Sequence, residues 1–167
     1  MQRRAHLCGC QAILGEEAGA LQRRLLPLMH DARDAGKRRA SRRIRRFAES
    51  DAFARICAAD AVLRELAFIT ALPASAVLAA QGSAAPEGEA AKASVLVQGI
   101  ADIVLVFPDH LELLDYKTDR RKTEADFLAA YRAQLNLYAL AIDKRFAPKK
   151  VTYKGIYSLE LGKLIEV

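Results

Sequence analysis

Cysteine is scarce in this sequence, with only Cys8, Cys10 and Cys57 among 167 residues. Three unevenly placed thiols cannot build the disulfide framework of a small secreted domain. Cys8 and Cys10 form a lone C-x-C with no second pair to complete a zinc site, so reduced cysteines of a cytoplasmic protein are expected. No apolar run reaches the roughly eighteen residues of a membrane span. The opening residues 1–7 lack the apolar stretch of a signal peptide, so no membrane partner is expected. A G-x-x-x-x-G-K-[ST] loop is also missing, which excludes ATP hydrolysis through a P-loop. There are no internal repeats.

What is present is a globular composition, 52% apolar and 28% charged, of a length that suits one domain with its own core. Lysine and arginine outnumber the acids 26 to 20, a formal charge of +6. That balance favours anionic partners, nucleic acid among them.

The chain changes character near residue 60. Residues 1–60 are rich in Ala, Leu and Arg and poor in β-branched residues, which predicts a helical N-terminal segment. Leu21, Leu25, Leu26 and Leu28 mark one stripe, interrupted by Pro27. A second helix is expected over 37–58, with Ile44, Phe47, Phe53 and Ile56 on its buried side. Residues 61–167 read as the core. Strands are expected at 61–70 and 94–107, the latter in the middle of a sheet, with a flexible surface loop at 81–93. A strand at 111–117 should pair with 94–107 as an antiparallel hairpin. A long amphipathic helix follows over 123–146, capped by Thr123 and ended by Pro148. Two short strands, 151–160 and 164–167, turn at Gly162. Helices, strand, hairpin, helix and hairpin make an α/β or α+β domain around a mixed sheet.

Charge inside the apolar strands is where chemistry is expected. Asp115 and Lys117 alternate onto one face of the strand 111–117. Alone, they read first as a salt bridge between strand neighbours, and only second as a metal-holding carboxylate beside a phosphate-facing ammonium. Asp102 interrupts an otherwise apolar run on the neighbouring strand, and two buried acids repel unless something positive lies between them. Magnesium suits such a pair, since it commonly sits on one or two carboxylates plus substrate phosphate. Glu65 is a third acid flanked by apolar residues. Tyr131, Gln134 and Tyr138 share one helix face, and a glutamine there is odd for pure packing.

Taken together, Gly99-Ile100-Ala101-Asp102, then Leu114-Asp115-Tyr116-Lys117-Thr118-Asp119, then Tyr131-x-x-Gln134-Leu135-x-x-Tyr138 resembles the RecB-type nucleases of the PD-(D/E)XK superfamily. Within them it is most similar to the C-terminal nuclease domains of the AddA family of helicase-nuclease subunits. Ser50-Asp51, the run 62–68 around Glu65 and the closing run 157–163 extend the match from about residue 50 onward. The resemblance implies an α/β restriction-endonuclease-like core, a mixed sheet flanked by helices. It implies Mg2+, with Mn2+ as a substitute, held by Asp102 and Asp115 and by the carbonyl of Tyr116. Lys117 would orient or activate water and stabilise charge on the phosphate. Glu65 would act through water or outer contacts. Gln134 and Tyr138 would position Lys117, water or the DNA strand, and Tyr131 would contact DNA.

At the amino end His6 stands near the position of the family's histidine ligand, but Arg3-Arg4-Ala5 replaces the expected lead-in. A polar residue without a metal role is the alternative, and His30 reads as a surface histidine. The run 37–46 holds seven cations in ten residues. Its Arg42, Arg43, Arg45 and Arg46 are either solvated or bound to DNA phosphates. The resemblance implies a cytoplasmic bacterial DNA-repair exonuclease domain, a fragment of a longer protein or a truncated gene product. Its helicase domains would lie outside this chain, and a second, AddB-like subunit would complete the complex. A stand-alone endonuclease and a metal-free DNA-binding scaffold of the same fold are the alternatives.

Overall fold

The computed structural model describes residues 35–84 and 87–167. His6, Cys8, Cys10, His30 and the leucine stripe 21–28 lie outside the described residues. The chain splits into two compact units, one ending at Glu49 and the other beginning at Ser50, and each is taken separately.

Before the division lies helix α1 (Ala35–Ala48), with Arg45 and Arg46 in its last turn and Ile44 exposed. The single helix expected over 37–58 is therefore two. Ser50 adopts an extended backbone and its side chain accepts a hydrogen bond from Phe53 N, which starts helix α2 (Asp51–Ala58) afresh. Ile56 and Ala59 pack with Val62, Ile103, Leu105 and Leu114, so α2 belongs to the core unit that follows.

That unit is built on five strands in the order β1-β2-β3-β4-β5. They are β1 (Ala61–Pro73), β2 (Ser94–Val106), β3 (Leu111–Lys117), β4 (Val151–Ser158) and β5 (Lys163–Glu166). Helices α3 (Ala74–Ala80) and α4 (Glu89–Lys92) lie between β1 and β2, so the loop expected at 81–93 contains one turn of helix. Between β3 and β4 runs α5 (Glu124–Arg145). β1, β2 and β3 are antiparallel, β3 and β4 parallel, β4 and β5 antiparallel. A parallel pair needs a crossover, and α5 supplies it. Thr123 and Asp126 close a reciprocal capping box at its start, with Glu124 and Asp126 in the first turn and Lys144 and Arg145 in the last.

β3 is covered on both sides. Leu111 and Leu113 join Phe127, Leu135 and Ile142 of α5 in the main core, while Leu114 packs toward α2. Each fully buried side chain of this size contributes about 1.5–3 kcal/mol. The outer half of β2 differs from the expected mid-sheet strand. β3 pairs only with Ile103–Val106, and beyond that point β2 continues as a ribbon with β1 alone. One face of the ribbon packs through Phe68, Leu72 and Val97, and the other leaves Ile69, Leu96 and Ile100 exposed by 65%, 66% and 58%. Among the described residues β1 is a sheet edge, and its carbonyls at Ala67 and Ala71 accept hydrogen bonds from Arg145 and Lys144, each 2.7 Å.

Candidate active site

The regular pleat breaks at one row of the sheet. On β1 the residues of the main core are Leu63, then Leu66, Phe68 and Leu72. On β2 they are Val97 and Ala101, then Val104 and Val106. Both alternations slip by one step between these sets, at Glu65 and at Asp102. The β1–β2 register runs Arg64↔Ile103 and then Leu66↔Ala101, leaving Glu65 opposite Asp102. Glu65 has φ +48, a left-handed conformation that costs a non-glycine residue about 1–3 kcal/mol and clusters at functional sites.

The next boundary of the ladder falls in the same row. β2 and β3 pair up to Ile103↔Leu114, and Asp102 and Asp115 are the positions immediately beyond. There the Asp102 carboxylate takes over from the backbone, accepting a hydrogen bond of 2.9 Å from Tyr116 N. The sequence thus puts carboxylates where the two strands part, on the side of the sheet that α5 covers.

Asp115 is buried, and its Oδ2 has no aligned hydrogen bond, although Lys117 Nζ lies 2.5 Å away as a charge contact. Burial pushes the Asp115 carboxyl above its usual range. The Lys117 ammonium opposes that rise, while the charges of Asp102 and Asp119 add to it. Burial likewise raises the Tyr116 hydroxyl to about 12, with Arg64 opposing and Asp102 adding. A buried carboxylate oxygen without a proper donor suits a cation. Among the described residues no three acid, histidine or cysteine side chains gather around one point. Two carboxylates fit a hard cation that takes its other oxygen ligands from elsewhere, such as water or phosphate.

Lys117 Nζ also sits 4.6 Å from the centroid of the Tyr131 ring. Tyr131 Oη donates to Asp119 at 3.0 Å and accepts from Lys122 at 3.3 Å, and Lys122 pairs with Asp119 at 2.7 Å. Hydrogen bonding to Lys122 holds the Asp119 carboxyl below its usual range, and the same bond holds Lys122 above its own.

Of the residues singled out from sequence, the fold thus gathers Asp102, Asp115, Tyr116, Lys117 and Tyr131, with Glu65 in the same row. Gln134 is half-buried on α5. Tyr138 lies about 10 Å further along the helix than Tyr131. It packs edge-on against Phe68 at 4.9 Å rather than against Lys117. Its hydroxyl occupies the space that a Cβ on Gly99 would need, 2.8 Å from it. Arg42, Arg43, Arg45 and Arg46 lie on α1, before the division of the chain. Asp119, Lys122 and Arg64 were not singled out. The i,i+3 spacing of Asp119 and Lys122, directly after the D-x-K strand, is the one signal that could have drawn notice.

The family model of the PD-(D/E)XK nuclease superfamily matches residues 4–163. The A subunit of the ATP-dependent helicase/nuclease of Ligilactobacillus salivarius is 39% identical over 106 residues, covering 64% of this chain and 8% of that protein. Its namesake from Heliobacterium modesticaldum is 35% identical over 129 residues, 72% of this chain and 8% of that protein. The chain therefore spans a small part of the length of these relatives. A mixed sheet with flanking helices, an acid pair at the parting of two strands and a family match over nearly the whole length agree, and the chain belongs to the PD-(D/E)XK nuclease superfamily.

Proposed function

We propose that this chain is a metal-dependent DNA nuclease domain that hydrolyses phosphodiester bonds, working in the bacterial cytoplasm as part of a helicase-nuclease. The observation that carries the reading is the row in which Glu65, Asp102 and Asp115 succeed one another across three strands, with Lys117 beside Asp115. Neighbouring like charges are destabilising unless something positive lies between them, and Asp102 and Asp115 are the two of the three that would share a cation.

Asp102 and Asp115, with the Tyr116 carbonyl, would hold a divalent cation, Mg2+ by preference and Mn2+ as a substitute. Bound there, it supplies Lewis acidity toward a phosphate and lowers the pKa of water. Asp102 serves a second end, since its bond to Tyr116 N fixes the strand that carries the Tyr116 carbonyl and Lys117. Lys117 is placed to orient water and to face the negative charge that builds on the phosphate in the transition state. Glu65 acts from the outer rim of the site and Gln134 supports the site from α5, whereas Tyr138, packed on Phe68, braces the β1–β2 ribbon. In relatives named as helicase/nuclease subunits the domain is a small part of a long protein. Its expected partners are accordingly motor domains and a second, AddB-like subunit, and its expected mode is strand-end digestion.

Cleavage of linear single-stranded DNA with magnesium or manganese tests this reading against Asp115→Ala and Lys117→Ala. Metal-dependent cleavage lost in both variants supports it. A folded native chain that neither cleaves DNA nor binds manganese by calorimetry overturns it in favour of a scaffold.

A further inference from the structure

Lys117 has two neighbours, and they hold it differently. Its ammonium touches the buried Asp115 carboxylate and lies over the Tyr131 ring. Once Asp115 is committed to a cation, that carboxylate is no longer a free partner for Lys117. What remains is the face of Tyr131, an attraction of about 0.5–2 kcal/mol that depends on where the ring is kept.

The ring is kept in place by its hydroxyl. Tyr131 Oη donates to both carboxylate oxygens of Asp119 at 3.0 Å and accepts from Lys122 Nζ at 3.3 Å. Lys122 Nζ lies 4.7 Å from the centroid of the same ring, and its pairing with Asp119 at 2.7 Å offsets the charge it brings near Lys117. Both anchors stand in the short connection between β3 and α5, the one segment that follows Lys117 directly and leads into the helix bearing Tyr131.

Building on the nuclease reading, we infer that Asp119, Lys122 and Tyr131 form a positioning unit that holds the Lys117 ammonium at the reacting phosphate. None of the three needs to touch substrate; they act through Lys117. Displacing a reacting group by about an ångström costs on the order of 10²-fold in rate, so loosening the ring should be visible in turnover.

Two measurements on the whole chain test the unit. In the first, lysines labelled with 13C at the ε-carbon are observed by NMR, and Lys117 is assigned through Lys117→Arg. The ring current of Tyr131 should shift the Lys117 signal upfield. The shift should vanish in Tyr131→Leu and shrink in Asp119→Asn and Lys122→Met. In the second, kcat and KM are measured on linear single-stranded DNA with manganese. Asp119→Asn and Lys122→Met should lower kcat by roughly 10- to 100-fold, with KM and manganese affinity unchanged. Lys122→Arg should restore most of the rate. A Lys117 signal that is the same in every variant overturns the inference. So does a loss that falls on KM alone, which would make these residues direct DNA contacts. A native chain that neither cleaves DNA nor binds manganese overturns the nuclease reading instead, and the NMR shift still decides whether the unit holds Lys117.

Discussion

Asp115 spends its free energy of burial on readiness for a cation. Burial holds its carboxyl above the ordinary range, so the folded metal-free chain keeps the proton to higher pH than the unfolded chain does. The stability this confers is full below the unfolded pKa, about 3.9, and is lost as pH rises through the elevated folded value. Asp115→Asn should therefore stabilise the metal-free chain at neutral pH by about 0.5–2 kcal/mol in urea unfolding, while abolishing manganese binding. In the native chain manganese affinity should weaken as pH falls into the same window, because proton and cation compete for one carboxylate. Gly99 is a second residue with a narrow tolerance. A Cβ there meets Phe68 Cζ and Tyr138 Oη, each at 2.8 Å. Gly99→Ala should cost about 1–3 kcal/mol by the same measurement, since both rings are packed. Asp102, Asp115 and Lys117 were legible in the sequence because a charge inside an apolar strand is conspicuous. Asp119 figured only as the end of the motif and Lys122 not at all, because in a polar connection their i,i+3 spacing is a faint signal. The left-handed backbone at Glu65 leaves no trace in residue type at all.

The best-read element is α5. Its capping residue and the acids in its first turn named the helix, but the single apolar face expected of it is not found, because apolar side chains lie all round it. Thr123→Ala removes the capping box and should cost about 1 kcal/mol, read as a shift of the urea midpoint. Leu135→Ala, at the fully buried centre of the same helix, should cost about 2–5 kcal/mol. The helix expected over 37–58 was misread because both halves favour helix, although the first is far more cationic than the second. The break is marked by Ser50, whose side chain accepts a hydrogen bond from Phe53 N, and a single serine between two acids is a weak signal. The outer half of β2 was misread for a related reason. A continuous apolar run looks the same whether a strand has two neighbours or one, and here the ribbon with β1 leaves one apolar face in water. The hairpin β2–β3 and the turn at Gly162, with φ +63, followed from spacing and from residue type.

At the scale of the molecule, a net charge of +6 predicts association with polyanions that weakens with salt. If Arg42, Arg43, Arg45 and Arg46 all contact phosphates, changing the four to glutamine should reduce the slope of log affinity against log salt by about 3 on single strands. An unchanged slope by fluorescence anisotropy would assign them to solvent. A different consequence follows from the two bonds that Lys144 and Arg145 make to the outward carbonyls of β1. An open sheet edge is a template on which another chain can add a strand, and here Ile69 lies exposed between the two carbonyls. The last turn of α5 thus works as a guard against self-association. Replacing both residues with methionine would leave the fold's core untouched and free the edge. Such a chain should aggregate with a shortened lag at concentrations where the native one stays monodisperse, a difference that light scattering would record.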